Sequence, residues 1–201
     1  EVMDIKGKTV SVGAAGSGNE VVVRSLLDMY GLTYDDFEPL YLNFAESVDA
    51  FKAGQLDAFL YVTGTPAVGI TDLSTTEDFR FIEVDEKQLE KVNHGEYPGI
   101  FEMTLPDGFY EKQEGSVTSI AINAQLIVDK SFPDELAYKF AKNLSENWET
   151  IEESHPAGAE WKQDEEGLFR GAIVPFHKGA VEYYKETGIW DKAPDFVSVG
   201  E

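Results

Sequence analysis

Between Lys8 and Val92 short apolar runs alternate with stretches of helical period, and glycine or proline marks most changeovers. Strand and helix in alternation imply a mostly parallel sheet wrapped by helices, with right-handed crossovers. Lys8 to Gly13 reads as the first strand, with Val10 and Val12 on one face. Asn19 to Tyr30 reads as a helix whose stripe is Val22, Val23, Leu26, Leu27 and Tyr30. Gly31 stands where a left-handed C-cap belongs. Leu40 to Phe44 and Asp57 to Val62 are the next expected strands, the second buried on both faces. A helix from Ala45 to Ala53 lies between them, stopped by Gly54. Gly64, Thr65 and Pro66 break the third strand and open a helix to about Leu73. Arg80 to Val84 reads as another strand. Asp85 and Gln88 have the spacing of a capping box for a short helix to Val92.

The texture then changes. Asn93 to Ser116 is loop-rich, with Pro98 and Pro106, and Val117 to Val128 reads as one long apolar strand. Pro133 suits the first turn of a helix reaching about Glu153. Leu136, Phe140, Leu144 and Trp148 form its expected stripe, and Pro156 ends it. Lys178 to Glu186 is the last expected helix, carrying Val181, Tyr183 and Tyr184 and ended by Gly188. An acidic tail, 191–201, closes the chain.

Charge narrows the functional classes. The 201 residues hold 38 Asp plus Glu against 16 Lys plus Arg, a formal net charge of −22. No basic stripe is available for phosphate, so no nucleic-acid partner is expected. An anionic membrane surface would repel the chain. The acidity reads first as hydration and screening in salt, as a saline source would demand. Hydrophobic residues at 42% suffice for a core. Cysteine is absent, so disulfides and thiol chemistry are too. No apolar run is long enough for a membrane span.

Catalytic signals are poor. His94, His155 and His177 share no metal-ligand spacing, and no G-x-S-x-G elbow occurs. The expectation is therefore a protein that is not an enzyme and has no cofactor and no metal.

Binding signals are better. Gly13-Ala14-Ala15-Gly16-Ser17-Gly18 joins a strand to a helix, where amide hydrogens and the helix dipole favour an anion. Gly16, Ser17, Gly18 and Asn19 are the candidate residues. The spacing is G-x-x-G-x-G, neither a dinucleotide fingerprint nor a P-loop. A plain turn with Ser17 as N-cap explains the same residues equally well. Thr63, Gly64, Thr65 and Pro66 form a second candidate at the end of another strand, where open α/β sheets place ligands. Glu46 and Ser47, at a third strand end, read simply as a helix start. Tyr97, Phe101, Phe109 and Tyr110 either wall a pocket or plug a core under a loop.

Lys6-Gly7-Lys8-Thr9-Val10-Ser11-Val12-Gly13, Gly16-Ser17-Gly18-Asn19-Glu20 and Gly31-Leu32-Thr33-Tyr34-Asp35-Asp36 resemble the TAXI family of solute receptors for TRAP (tripartite ATP-independent periplasmic) transporters. The similarity continues through Gly54-Gln55-Leu56-Asp57-Ala58-Phe59, Thr71-Asp72-Leu73-Ser74-Thr75-Thr76, Glu96-Tyr97-Pro98, Val174-Pro175-Phe176-His177-Lys178-Gly179-Ala180 and Tyr183-Tyr184. The resemblance implies a periplasmic-binding-protein type II-like architecture: two lobes, each a mostly parallel sheet with flanking helices, closing on ligand about a hinge. It implies a periplasmic or extracytoplasmic location. It also implies a carboxylate ligand (glutamate, glutamine or a related dicarboxylic or oxo acid) and the TRAP transporter membrane subunits as partners. By this pattern residues 1–92 form lobe two, 93–116 the crossover and 117–190 the second half of lobe one. The first half of lobe one and a signal peptide, about a hundred residues, are expected to precede Glu1. Asn19 stands where the family usually has threonine, and Ala45 where it often has serine; each change removes a hydroxyl.

The expected mechanism is capture and closure. Amides at Gly16 to Asn19 and the Thr63–Pro66 turn hold a carboxylate, and the other lobe covers it. The alternatives are an α/β enzyme acting on a small anionic metabolite, a receptor for an ATP-driven importer, and a surface binding module without transport.

Overall fold

A computed structural model describes residues 1–155, 158, 162 and 164–200; the expected stop at Pro156 lies outside them. The chain forms two compact units. The first is Glu1–Tyr97 with Glu102–Ala121, and the second is Pro98–Phe101 with Ile122–Glu201.

The first unit is built on three parallel strands, β1 (Thr9–Ser11), β2 (Glu38–Leu40) and β3 (Ala58–Phe59), in the order β2-β1-β3. Val10 lies opposite Pro39 on one side and Ala58 on the other. Helices α1 (Gly18–Met29), α2 (Phe44–Lys52) and α3 (Val68–Thr76) alternate with these strands as expected, and α4 (Glu86–Asn93) follows α3 with no strand between them. Ser17 caps α1, and Gly31 leaves it at φ +65°, as the sequence predicts. Val10, Val12, Val23, Leu27, Leu32 and Phe37 form one core cluster under α1, with Val2 and Ile5. Burial of this kind is the main stabilising term of such a unit.

Several boundaries differ from expectation. The second strand ends at Leu40, because Asn43 caps α2 and makes Phe44 its first residue. Among the described residues the third strand pairs over Ala58–Phe59 with β1 alone, and it is half-buried rather than buried on both faces. Arg80 to Val84 is no strand. Phe79 and Phe81 enter one apolar cluster and Ile82 another, while one main-chain bond, Val84 N–H to the Thr118 carbonyl at 3.1 Å, joins the segment to a strand. At α4 the Asp85 carbonyl, not its side chain, accepts from Gln88 and Leu89. The capping box therefore does not form, and the buried Gln88 Oε1 has no partner among the described residues. The stretch expected to be loop holds a strand, β4 (Ile100–Leu105), which pairs with β5 (Val117–Ile122).

The second unit is helical: α5 (Asp134–Glu146), α6 (Trp148–Ser154), α7 (Glu165–Phe169) and α8 (Lys178–Glu186). The helix after Pro133 breaks at Asn147 (φ −123°, ψ 20°) instead of running to Glu153. α5 packs on α8 through Ala137, Ala141, Tyr183 and Tyr184. A Cβ on Gly179 would lie 2.2 Å from the Asp134 carbonyl oxygen, so the helices meet where α8 has no side chain. This contact turns the predicted apolar stripe of α5 outward, leaving Leu136 47% and Phe140 48% exposed. The strand expected over Val117 to Val128 stops at Ile122.

Candidate functional site

Because β1, β2 and β3 are parallel, their carboxyl ends share one edge of the sheet. Each leads into a helix N-terminus, where the first main-chain N–H groups lack intrahelical acceptors. Asn19 draws the first and third ends together. Its Nδ2 donates to the Val12 carbonyl at 3.0 Å and the Leu60 carbonyl at 3.1 Å, and its Oδ1 accepts from the Val62 N–H at 2.5 Å. The side chain occupies the space over Gly13: a Cβ there would stand 2.2 Å from Asn19 Nδ2, and φ is +88°. Phe44 brings in the second end. Its ring lies 4.8 Å from that of Tyr61, and its edge would be 2.9 Å from a Cβ on Gly69 in the first turn of α3. Three helix starts thus converge around residues 60–62.

The first turn is organised by Glu20. Ser17 Oγ accepts from the Glu20 N–H at 3.2 Å, and the Gly16 N–H donates to Glu20 Oε2 at 2.6 Å. Glu20 Oε1 accepts from Arg24 Nη2 at 2.5 Å and from the Tyr34 hydroxyl at 3.4 Å. The Arg24 guanidinium also lies 4.8 Å from the centre of the Tyr34 ring. The Gly16 amide, and after it Arg24, hold the Glu20 carboxyl below the ordinary glutamate value. Burial, then the Glu20 charge, push the Tyr34 hydroxyl up to about 12. Gly16 is therefore committed to an internal carboxylate. The Gly18 and Asn19 amides remain, with no acceptor among the described residues.

In the second turn Thr63 and Gly64 are exposed, and Thr65 and Pro66, joined by a cis peptide, are half-buried. Among the described residues Thr63 Oγ1 makes one hydrogen bond, 3.4 Å to the Gly64 carbonyl. The Ala67 amide beyond them donates to the Tyr110 hydroxyl at 2.9 Å. Tyr110 is buried beside Phe81 and Phe109, the core-plugging alternative for that aromatic pair.

Tyr97 stands elsewhere. Its hydroxyl donates to Asp28 Oδ2 at 3.0 Å, at the last turn of α1, about 15 Å along the helix from Gly18. Glu46 closes a capping box with Asn43, and Ser47 is buried against Ser11 Oγ at 2.7 Å, as a plain helix start requires. Among the described residues no group of His, Asp or Glu is arranged to hold a metal.

Glu20 was the functional residue most open to sequence reading, through its Ser-x-x-Glu spacing from Ser17 and the (i, i+4) spacing to Arg24. The Phe44–Tyr61 contact carries no local signal.

A parallel α/β sheet flanked by helices, with small turns and helix starts gathered at one edge, is compatible with a periplasmic-binding-protein-like fold. The chain matches the NMT1-like family over residues 1–188 and belongs to it. That family comprises periplasmic solute-binding proteins related to the substrate receptors of TRAP and ABC transporters. No described helix is long and apolar enough to cross a membrane.

Proposed function

We propose that the protein is an extracytoplasmic receptor of the TAXI kind that captures a small carboxylate for a TRAP transporter, by hinge closure and without chemistry. The candidate ligands are glutamate, glutamine and related dicarboxylic or oxo acids. The observation that carries the reading is the pair of amides at Gly18 and Asn19, which face no internal acceptor at the start of α1. Two adjacent N–H groups and the helix dipole suit one carboxylate. The Thr63–Pro66 turn flanks it from the end of β3. Gly16, Ser17 and the Asn19 side chain act indirectly, by holding the turn in shape. With a net charge of −22 the molecule has no long-range attraction for an anion, so these short-range donors do the holding.

The test follows from the helix geometry. Asn19→Ala is a poor probe, because it removes three hydrogen bonds that join Val12, just after β1, to Leu60 and Val62, just after β3. Gly18→Pro is a clean one. Gly18 is the first helical residue, where proline is tolerated, and Ser17 (φ −76°, ψ 159°) already has the backbone that precedes proline. The variant replaces one ligand N–H by a ring methylene and breaks no internal hydrogen bond among the described residues. Calorimetry with glutamate, glutamine, 2-oxoglutarate and succinate should find a binder that is recovered unchanged. Gly18→Pro should weaken it about tenfold or more, a charge-assisted hydrogen bond contributing about 1.5–3 kcal/mol, with the ligand-free Tm retained. Equal affinity in the variant would remove the site from α1.

A further inference from the structure

The two faces of the first unit's sheet carry different helices. Val23 and Leu27 of α1 cluster with Val10, Val12 and Leu60, whereas Val48 of α2 and Ile70 and Leu73 of α3 cluster with Phe59. Helices on opposite faces leave a crevice between the carboxyl ends of β1 and β3, where an open α/β sheet takes its ligand. The Gly18 and Asn19 amides stand on the α1 side of it. On the other side four rings run from the core to the edge. Phe51 and Phe59 lie 5.6 Å apart between centres, Phe59 and Phe44 6.5 Å, and Phe44 and Tyr61 4.8 Å. Tyr61 comes between Leu60 and Val62, two of the residues that the Asn19 side chain bonds. It is half-buried, and its hydroxyl has no hydrogen-bond partner among the described residues.

The rest of the rim is apolar too. The exposed large hydrophobic side chains described in this unit are Met3, Val21, Tyr41 and Val68. Met3 precedes β1, but Tyr41 follows β2, Val21 is in the first turn of α1 and Val68 is the first residue of α3. The unit's charges are engaged elsewhere. Lys6, Lys8, Lys52, Arg80 and Lys112 pair with Asp36, Asp57, Asp72, Asp4 and Asp78. Lys87 and Lys91 lie on α4, and Lys91 reaches the Met29 carbonyl, at the far end of α1 from Gly18. Arg24 is held by Glu20, and Glu20 and Glu46 by the Gly16 and Asn43 amides. A second charge on a ligand, of either sign, would face rings and aliphatic side chains, and an unpaired charge on such a surface is costly.

Resting on the receptor reading above, we infer that the ligand carries one charge only: it is a 2-oxo monocarboxylic acid with a branched or aromatic body. Its carboxylate takes the two amides, and its body lies against Tyr61 and Phe44. The Tyr61 hydroxyl supplies a donor for the 2-oxo oxygen. An apolar wall with a few polar groups that fix orientation is the usual make-up of a small-molecule site. Glutamate and 2-oxoglutarate bring the anion that the amides need, together with a further charge that the wall does not answer.

The central pair of probes is 2-oxoglutarate and 5-methyl-2-oxohexanoate, which has the same shape with methyl groups in place of the distal carboxylate oxygens. Phenylpyruvate and glutamate complete the set. Calorimetry on the whole protein should show 5-methyl-2-oxohexanoate and phenylpyruvate binding about tenfold or more tightly than 2-oxoglutarate and glutamate, whose second charge stays unanswered. Tyr61→Lys, which puts a cation on the apolar wall, should reverse that order, and Tyr61→Phe, which keeps the ring, should preserve it. Equal or tighter binding of 2-oxoglutarate to the wild-type protein overturns the inference, whether or not the variants fold, and leaves the apolar rim to contact with protein. An unchanged order in Tyr61→Lys with its Tm retained overturns it as well. The two readings fail separately. If Gly18→Pro weakens a dicarboxylate that the wild type prefers, the site at α1 stands and the single-charge ligand falls. Binding of none of the four acids removes both.

Discussion

Glu20 is a buried carboxylate whose three donors are an amide of its own turn, an arginine of its own helix and the Tyr34 hydroxyl. Its pKa is depressed in the folded state, so its contribution to stability is complete above the ordinary glutamate value, about 4.3. That contribution is lost as pH falls through the lower folded value. Glu20→Gln keeps the shape but removes the charge that Arg24 and the Gly16 amide satisfy. The Tm gap between wild type and Glu20→Gln should be widest near neutrality and should narrow below about pH 4. A gap unchanged from pH 7 down to pH 3 would mean that the charge does not matter there. Asn19 belongs to the same scale. In the sequence it reads as a ligand donor; in the fold its amide is used three times by main chain. Its Leu60 and Val62 partners lie 41 and 43 residues away, beyond any local pattern.

At the scale of elements, several helix ends were legible and strand lengths were not. Ser17, Gly31 and Gly54 act through local geometry, with left-handed φ of +65° and +67° at the two glycines, so a one-dimensional reading finds them; Asn43 caps α2 in the same local way but falls inside the strand expected over Leu40 to Phe44. Strand length depends on which neighbour is present: β3 has only β1, and Arg80 to Val84 has no ladder at all. The orientation of α5 was also invisible. Periodicity favours Leu136, Phe140 and Leu144 as its inner face, yet the close approach of α8 at Gly179 selects Ala137 and Ala141. Ala141→Leu should therefore cost about 1–3 kcal/mol by overpacking, and Phe140→Ser about 0.5 kcal/mol or less. Urea titration of both variants checks the order. A Phe140→Ser cost near that of a core phenylalanine, about 3–5 kcal/mol, would show that this face is covered in solution.

At the scale of the whole molecule, charge dominates. The ion pairs are mostly exposed: Arg80 with Asp4, Lys112 with Asp78, Lys139 with Glu135. Such pairs contribute little each, and they cannot offset a net charge of −22. Self-repulsion opposes the compact state and is screened by salt. Raising sodium chloride from about 0.05 to about 1 M, which shortens the screening length to about 3 Å, should raise Tm. A flat or falling Tm would show that local pairs outweigh the global field.

By itself the sequence determined the alternation of the first three strands with the first three helices, the caps at Ser17, Gly31, Gly54 and Gly188, and the acidic, cysteine-free character of the chain. These follow from residue chemistry and from contacts within a turn or two. Only the tertiary structure decided which of the expected donors at the first turn stay open. Gly16 goes to Glu20, the Asn19 side chain goes to β1 and to the residues after β3, and the Gly18 and Asn19 amides are left. A hydrogen bond has one geometry at a time, and which partner takes it is settled when distant segments pack.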